Sequence, residues 1–304
     1  MGFDANGVRA LLAAHRKGAD FSRIMMIGRQ GLHFDSYYPL KVVMESFGIK
    51  KADAEVERMF SEQNGFAEPL LRMLGGQQIS SIDASAYEGA SIVHDMNLPI
   101  PDHLKDSFTL VIDGGSLEHV FNFPVAIKNC MEMVRGGGHF LGLSPANNCT
   151  GHGFYQFSPE VYFCIFSERN GFMVERLLVF ESAPRGRWFE VRDSESVGER
   201  VEIVNNRPTH VMVLARKLRK ATVFANYPQQ RDYVLRWGAN EASGASKTAA
   251  GHHASALRDA IKWVMPQYVL ELYRILRSKW RGSGSRRKLY FDPKKFKPID
   301  ITRM

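Results

Sequence analysis

Cysteine is scarce in this chain: there are three in 304 residues, Cys130, Cys149 and Cys164, an odd number with no paired metal-ligand spacing. That excludes a disulfide framework and a cysteine-built zinc site. It points to packed thiols in a reducing compartment, and no metal site is expected. Long hydrophobic runs are missing as well. No stretch approaches the roughly 18 apolar residues that cross a bilayer, and Met1 to Arg16 show no basic start followed by an apolar run. A cytoplasmic protein with no transmembrane segment is the expectation.

What is present is a 44% hydrophobic composition with 24% charged residues, enough to bury one large core or a core plus an appendage. The net charge of +8 looks like a nucleic-acid signal until its distribution is read. Residues 1–215 carry 20 basic against 26 acidic side chains, whereas residues 216–304 carry 20 against 6. An acidic main domain repels a polyanion, so nucleic acid is not the expected partner. The basic tail, with Arg274, Arg277, Lys279, Arg281, Arg286, Arg287 and Lys288, suits contact with an anionic surface, including a peripheral one at a membrane, or with a phosphate-bearing acceptor. The plainer alternative is a solvated helix face docked by its apolar stripe.

Short β-branched runs alternate with helical segments from Phe21 to about Lys217, the pattern of a parallel sheet with crossover helices. Strands are predicted at Arg23–Gly28, Gln78–Asp83, Ser91–Asp95, Phe108–Asp113, His139–Leu143, Met173–Glu181 and His210–Arg216. Ser36 to Leu74 holds two or three helices with a break at Gly48, and a further helix spans about Val120 to Val134, closed by Gly136, Gly137 and Gly138. Arg185 to Arg207 is turn-rich, so the last two strands form an antiparallel hairpin at the sheet edge. The expected fold is α/β: a doubly wound, seven-stranded sheet, mostly parallel, with that terminal hairpin. Residues 1–220 form the main domain and 221–256 a linker. Residues 257–304 form a basic helical extension with apolar residues at helical spacing, Leu257, Ile261, Val264, Tyr268, Leu272 and Ile275.

The chemistry-bearing pattern is a series of carboxylates at strand ends: Asp83, Asp95 and Asp113. Carboxyl ends of strands form the ligand crevice of an open parallel sheet, so these groups converge there. Capping of the following helix is the ordinary alternative for each.

Four segments then carry a family resemblance: Ser81-Ile82-Asp83-Ala84-Ser85; His94-Asp95-Met96-Asn97; Phe108 to Val120, with Asp113-Gly114-Gly115-Ser116-Leu117-Glu118-His119; and Val134 to Phe140. In order and spacing they resemble motifs II to V of class I S-adenosylmethionine-dependent methyltransferases, over roughly residues 20–217. The resemblance implies a Rossmann-like fold whose last strand is inserted antiparallel, with S-adenosyl-L-methionine as cofactor. It implies that Asp83 holds the ribose, that Asp95 approaches the adenine, and that Asp113 with Gly114 lies near the methionine end.

The first motif departs from the family. An acidic residue, an apolar residue and Gly-x-Gly-x-Gly are usual, whereas this chain reads Met26-Ile27-Gly28-Arg29-Gln30-Gly31. Gly28 is in register and Gly31 is displaced by one. Glycines serve there because a Cβ collides with a cofactor lying against the turn. Either Gly28 and Gly31 hold the cofactor in another arrangement, or the fold is kept without it.

Methyl transfer needs an attacking oxygen or nitrogen positioned and sometimes deprotonated. His119 and His152 are the candidate bases. In the loop after the fifth strand, Asn147, Asn148 and Gln156 suit the hydroxyls of a small-molecule or saccharide acceptor, and Phe154 and Tyr155 suit stacking. An S-adenosylmethionine-dependent methyltransferase acting on a small-molecule or carbohydrate hydroxyl or amine is the leading expectation. A non-catalytic binding or scaffold protein on the same fold is the alternative. A nicotinamide-dependent oxidoreductase is less well matched, for Gly-x-Gly-x-x-Gly is lacking.

Overall fold

The computed structural model describes residues 2–183, 186–231, 233–234 and 292–304. Its centre is a nine-stranded mixed sheet. In chain order the strands are β2 (Arg23–Ile27), β4 (Gln78–Asp83), β5 (Ile92–Val93), β6 (Phe108–Gly114), β7 (Val134–Asn147), β8 (Phe172–Glu181), β9 (Trp188–Val191), β10 (Thr209–Lys217) and β11 (Phe296–Ile299). A separate parallel pair joins β1 (Gly2–Phe3) to β3 (Gly31–Leu32).

Across the sheet the order is β11-β9-β8-β10-β7-β6-β2-β4-β5. Strands β5, β4, β2, β6 and β7 pair in parallel, and β10 runs antiparallel to both its neighbours, β7 and β8. All seven expected strands are present, and their arrangement, with the reversed last strand inserted beside the fifth, is that of the class I methyltransferase fold. The count of seven is corrected to nine. The hairpin of β8 and β10 is not at the edge either, because β9 and then β11 continue the sheet beyond β8.

Alternation along the central strands sorts their side chains to two cores. Ile24 and Met26 of β2, Leu178 and Phe180 of β8, and Met212 and Leu214 of β10 join one apolar cluster. Their sequence neighbours Met25, Ile27, Leu177, Val179, Val211 and Val213 join the other. A sheet buried on both faces demands this near-continuous apolar composition. The first cluster is covered by α1 (Ala5–Arg16), α2 (Tyr37–Ser46), α3 (Asp53–Ser61) and α4 (Glu68–Met73), the second by α5 (Phe123–Met133) and α6 (Pro159–Ile165). Helix α1 starts where the Asp4 carboxylate accepts from the Asn6 and Gly7 backbone N–H groups, the usual N-cap. Gly48 follows the end of α2 at φ 81°, as the sequence predicts.

Helix α5 is shorter than expected at its start, because Pro124 sits in the first turn and Leu117–His119 form a separate 3-10 turn. The glycine run does not close it: the helix ends at Met133, β7 starts at Val134, and residues 135–138 bulge from the ladder between the pairs Phe108↔Val134 and Leu110↔His139. A short helix, α7 (Ser194–Val197), follows β9. The helical part expected over 257–291 lies outside the described residues. Residues 292–304 are not helical in that sense: they give β11 and a 3-10 turn, Ile301–Arg303. Among the described residues no helix is long and apolar enough to cross a membrane.

Candidate functional site

The carboxyl ends of β6, β7 and β8 and the start of β10 face the N-terminal turn of α1 across a cavity of about 340 Å³. That volume suits a small molecule. Its polar wall comprises Asp4, His33, Glu118, His119, His152, Ser182 and His210, with Phe180 and Leu143 as apolar lining.

Local structure explains how the central three of these meet. After β6, one oxygen of the Asp113 carboxylate accepts from the N–H groups of Ser116 at 2.8 Å and Leu117 at 3.3 Å. That pins the turn Leu117–His119, in which Glu118 points inward and His119 stays exposed. The loop after β7 docks on the same turn: Phe154 and Tyr155 donate from backbone nitrogen to the Glu118 carbonyl at 2.8 and 3.3 Å. Gly153 makes this approach possible, since its φ is 77° and a Cβ there would lie 2.8 Å from the same carbonyl oxygen. As a result His152 Nε2 stands 3.6 Å from Glu118 Oε1, and the rings of His119 and His152 are 5.4 Å apart. The sequence-predicted pair His119 and His152 is thus brought together, around a carboxylate.

Glu118 is 1% exposed, and its Oε2 has no hydrogen-bond partner. Burial, with the neighbouring Asp113 charge, holds its carboxyl well above the usual range. Burial raises Asp113 in the same way, against the opposing effect of the Ser116 and Leu117 N–H groups. His119 is lowered by burial and by His152. Across the cavity, His210 Nδ1 lies 2.6 Å from the Ser182 hydroxyl, and burial lowers this imidazole too.

The crevice that the resemblance assigns to a cofactor has a different character. In this topology it lies at the switch point between β2 and β6. There Gln30, fully buried, donates from Nε2 to the Ile27 carbonyl at 2.5 Å and to Ser116 Oγ at 3.1 Å. Ser116 Oγ donates in turn to the Ile27 carbonyl at 2.6 Å. The Phe3 ring and the Gln30 carboxamide both press on Gly114, where a Cβ would lie 2.8 and 2.6 Å from them. Arg29 reaches sideways instead: it pairs with Glu68 at 2.7 Å, donates to the Glu88 carbonyl and to Gln63, and lies over the Phe66 ring.

The expected cofactor residues therefore divide. Asp83 is partly exposed, with one long contact from the Ser85 N–H at 3.3 Å, and Asp95 is exposed, accepting from Asn97 at 2.9 and 2.7 Å. Both are open to a polar ligand. Gly28, Asp113 and Gly114 are buried; Gln30 and Phe3 press on Gly114, which also lines the cavity, Asp113 is held by the Ser116 and Leu117 N–H groups, and Gly31 is held in the β1–β3 pair. Gln30 and Phe3 thus crowd Gly114, where the resemblance places the methionine end of S-adenosylmethionine.

Of the expected acceptor-binding residues, Asn147 and Asn148 turn away from the cavity and donate to Asn205, Ile203 and Arg207. Gln156 accepts from the Cys149 N–H, and Tyr155 donates its hydroxyl to the Phe121 carbonyl. Phe154 is exposed, edge-on to Phe121. These residues shape the loop that carries His152 and do not line the cavity. The residues that do line it, and that the sequence does not single out, are Asp4, His33, Ser182 and His210.

No family model and no curated protein matches this chain. Among solved structures, it is similar to the YcgJ protein of Bacillus subtilis at 12% identity, covering 70% of this chain and 99% of that one with a TM-score of 0.38. It is similar to the [4+2]-cyclase SpnF at 13% identity, covering 69% and 79%, TM-score 0.39. It is also similar to the trans-methyltransferase CalH, crystallised with SAH, at 13% identity, covering 70% and 57%, TM-score 0.35. The strand order, read directly, defines the fold.

Proposed function

We propose that the protein is an enzyme of methyltransferase fold that binds a small, hydroxyl-bearing molecule in the histidine-lined cavity and activates one of its O–H groups beside Glu118, His119 and His152. The observation that carries this reading is a buried, unpartnered carboxylate oxygen set against two imidazoles at the wall of a ligand-sized cavity. Imidazole and carboxylate are the groups that take up a hydroxyl proton near neutral pH. Asp4, Ser182 and His210 on the facing wall suit a polyol's remaining hydroxyls. Calorimetric titration of the full chain with a panel of monosaccharides and nucleosides tests it. One site per chain, weakened at least about 10-fold by His210→Ala, is expected for a buried polar contact. A chain that binds none of them below about 1 mM, a free energy near −4 kcal/mol, does not fit the reading.

A second reading is methyl transfer from S-adenosylmethionine to that hydroxyl. The solvent-reaching carboxylates of Asp83 and Asp95 after the strand ends favour it. It requires Gln30 and Phe3 to leave the crevice. Titration with S-adenosylmethionine and its homocysteine product separates the two readings, and a non-catalytic binding protein is the outcome if a sugar binds and is never turned over.

A further inference from the structure

We propose that Glu118, His119 and His152 form a binding site for one divalent first-row transition-metal ion. The proposal rests on the cavity being the functional site, and it names the agent that activates the hydroxyl there. One ligand atom from each residue lies within 4.8 Å of the others. A carboxylate with two imidazoles is the ligand set of open catalytic zinc sites and of non-haem iron centres, where three protein groups leave positions free for water or substrate.

Two features separate this cluster from a chance meeting of surface groups. Glu118 is not a surface group: its side chain is 1% exposed, it lines the cavity with Oε1 toward His152, and its Oε2 lacks any donor. The His152 loop, moreover, is built onto the Glu118 backbone through the Phe154 and Tyr155 N–H groups, with Gly153 shaped to allow the contact. Metal bonds of about 2.0–2.2 Å place ligand atoms roughly 3–3.5 Å apart. Glu118 Oε1 and His152 Nε2, at 3.6 Å, are nearly there. Both imidazoles are exposed, His152 by 57%, which leaves their rings room to turn onto an ion. The open positions face the cavity, where a ligand hydroxyl would coordinate and pass its proton to water at the mouth. Such coordination acidifies a bound O–H strongly. Nitrogen donors favour zinc, cobalt, iron or manganese over magnesium. The sequence hides the site because its two halves are some 30 residues apart, on the loops after β6 and β7.

The test uses the full chain stripped with a chelator, titrated with Co²⁺ followed by visible absorption and with Zn²⁺ followed by calorimetry, with Mg²⁺ as the hard-cation arm. One Co²⁺ per chain with ligand-field bands, displaced by Zn²⁺ and not by Mg²⁺, is expected. His152→Ala, at an exposed position that leaves the fold intact, should weaken Zn²⁺ by at least about 10-fold, and Glu118→Gln by more, since the charged ligand is lost. No stoichiometric Co²⁺ or Zn²⁺ binding, or binding that His152→Ala leaves unchanged, overturns the proposal. If a sugar still binds the metal-free chain as before, the proposed function stands while the ion falls. If neither binds, both fall.

Discussion

Ser116 Oγ donates to the carbonyl oxygen of Ile27 at 2.6 Å, and that bond ties the end of β6 to the end of β2. The two strands are neighbours in the sheet, and the bond, with Gln30 beside it, fixes the turn at their carboxyl ends, where an open α/β sheet has its ligand crevice.

The first prediction concerns this closure. Titration of the wild-type chain with S-adenosylmethionine gives no heat, and the melting temperature does not move. Gln30→Ala costs about 1–3 kcal/mol in urea unfolding, from two lost hydrogen bonds and a buried cavity. A one-site, micromolar isotherm for S-adenosylmethionine on the wild type would mean that the crevice opens readily.

Gly153 is the hinge on which His152 reaches Glu118. Gly153→Ala introduces a side chain at φ 77° and 2.8 Å from the Glu118 carbonyl, at a cost of about 1–3 kcal/mol. Denaturant melts should register that loss. Sugar affinity should fall with it, whereas Gly151→Ala, where no atom lies within 4 Å of the added carbon, carries only the strain of its own φ of 90°.

Lys217 is a buried cation whose ammonium donates to Asp106 at 2.7 Å and to the carbonyls of Val134 and Met131 at 2.6 and 3.3 Å. Burial alone would raise Asp106, but Lys217 and Lys220 together outweigh it and hold the carboxyl below its ordinary value. A depressed folded pKa contributes stability above the unfolded carboxylate value, near 4, and loses it as pH falls through the folded one. Lys217→Met should therefore cost about 1–3 kcal/mol at pH 7 and flatten the fall in unfolding midpoint below pH 4. An unchanged acid slope would remove Asp106 from the account.

The 292–304 segment predicts a stability effect remote from the cavity. Phe296 is 1% exposed within β11, and Arg16 of α1 donates to the Thr302 carbonyl and to Phe47. Phe296→Ala should cost about 3–5 kcal/mol, the range for a fully buried ring. Thermal melts of the variant, with sugar affinity measured well below the transition, separate a packing role from one in binding.

The sequence makes the central sheet legible because each of its strands carries an apolar, β-branched run sorted to two buried faces. Strands β9 and β11 escape it for physical reasons. The first is four residues long amid arginines and acids, and the second contains Lys297 and Pro298, composition that suits an edge and reads as loop. In the site, His119, His152 and the strand-end carboxylates are visible because they follow strands directly. His33, His210 and Asp4 are not, since only the pairing of β10 with β7 and β8 and the capping of α1 bring them to one wall. The irregular first motif is plain in Arg29 and Gln30. What they do is not, because the partner of Gln30 is Ser116, 86 residues away.

The outer edge of the sheet has a kinetic consequence. Strand β9 pairs on its far side with β11, so Val191 meets Phe296 across roughly 100 residues of intervening chain, a separation in sequence whose closure entropy delays the contact relative to the local crossovers. During that delay β9 offers unpaired N–H and C=O groups next to Trp188 and Phe189, the condition under which chains associate edge to edge. Refolding yield should therefore depend on protein concentration more steeply than the inner, locally connected part of the sheet alone would require.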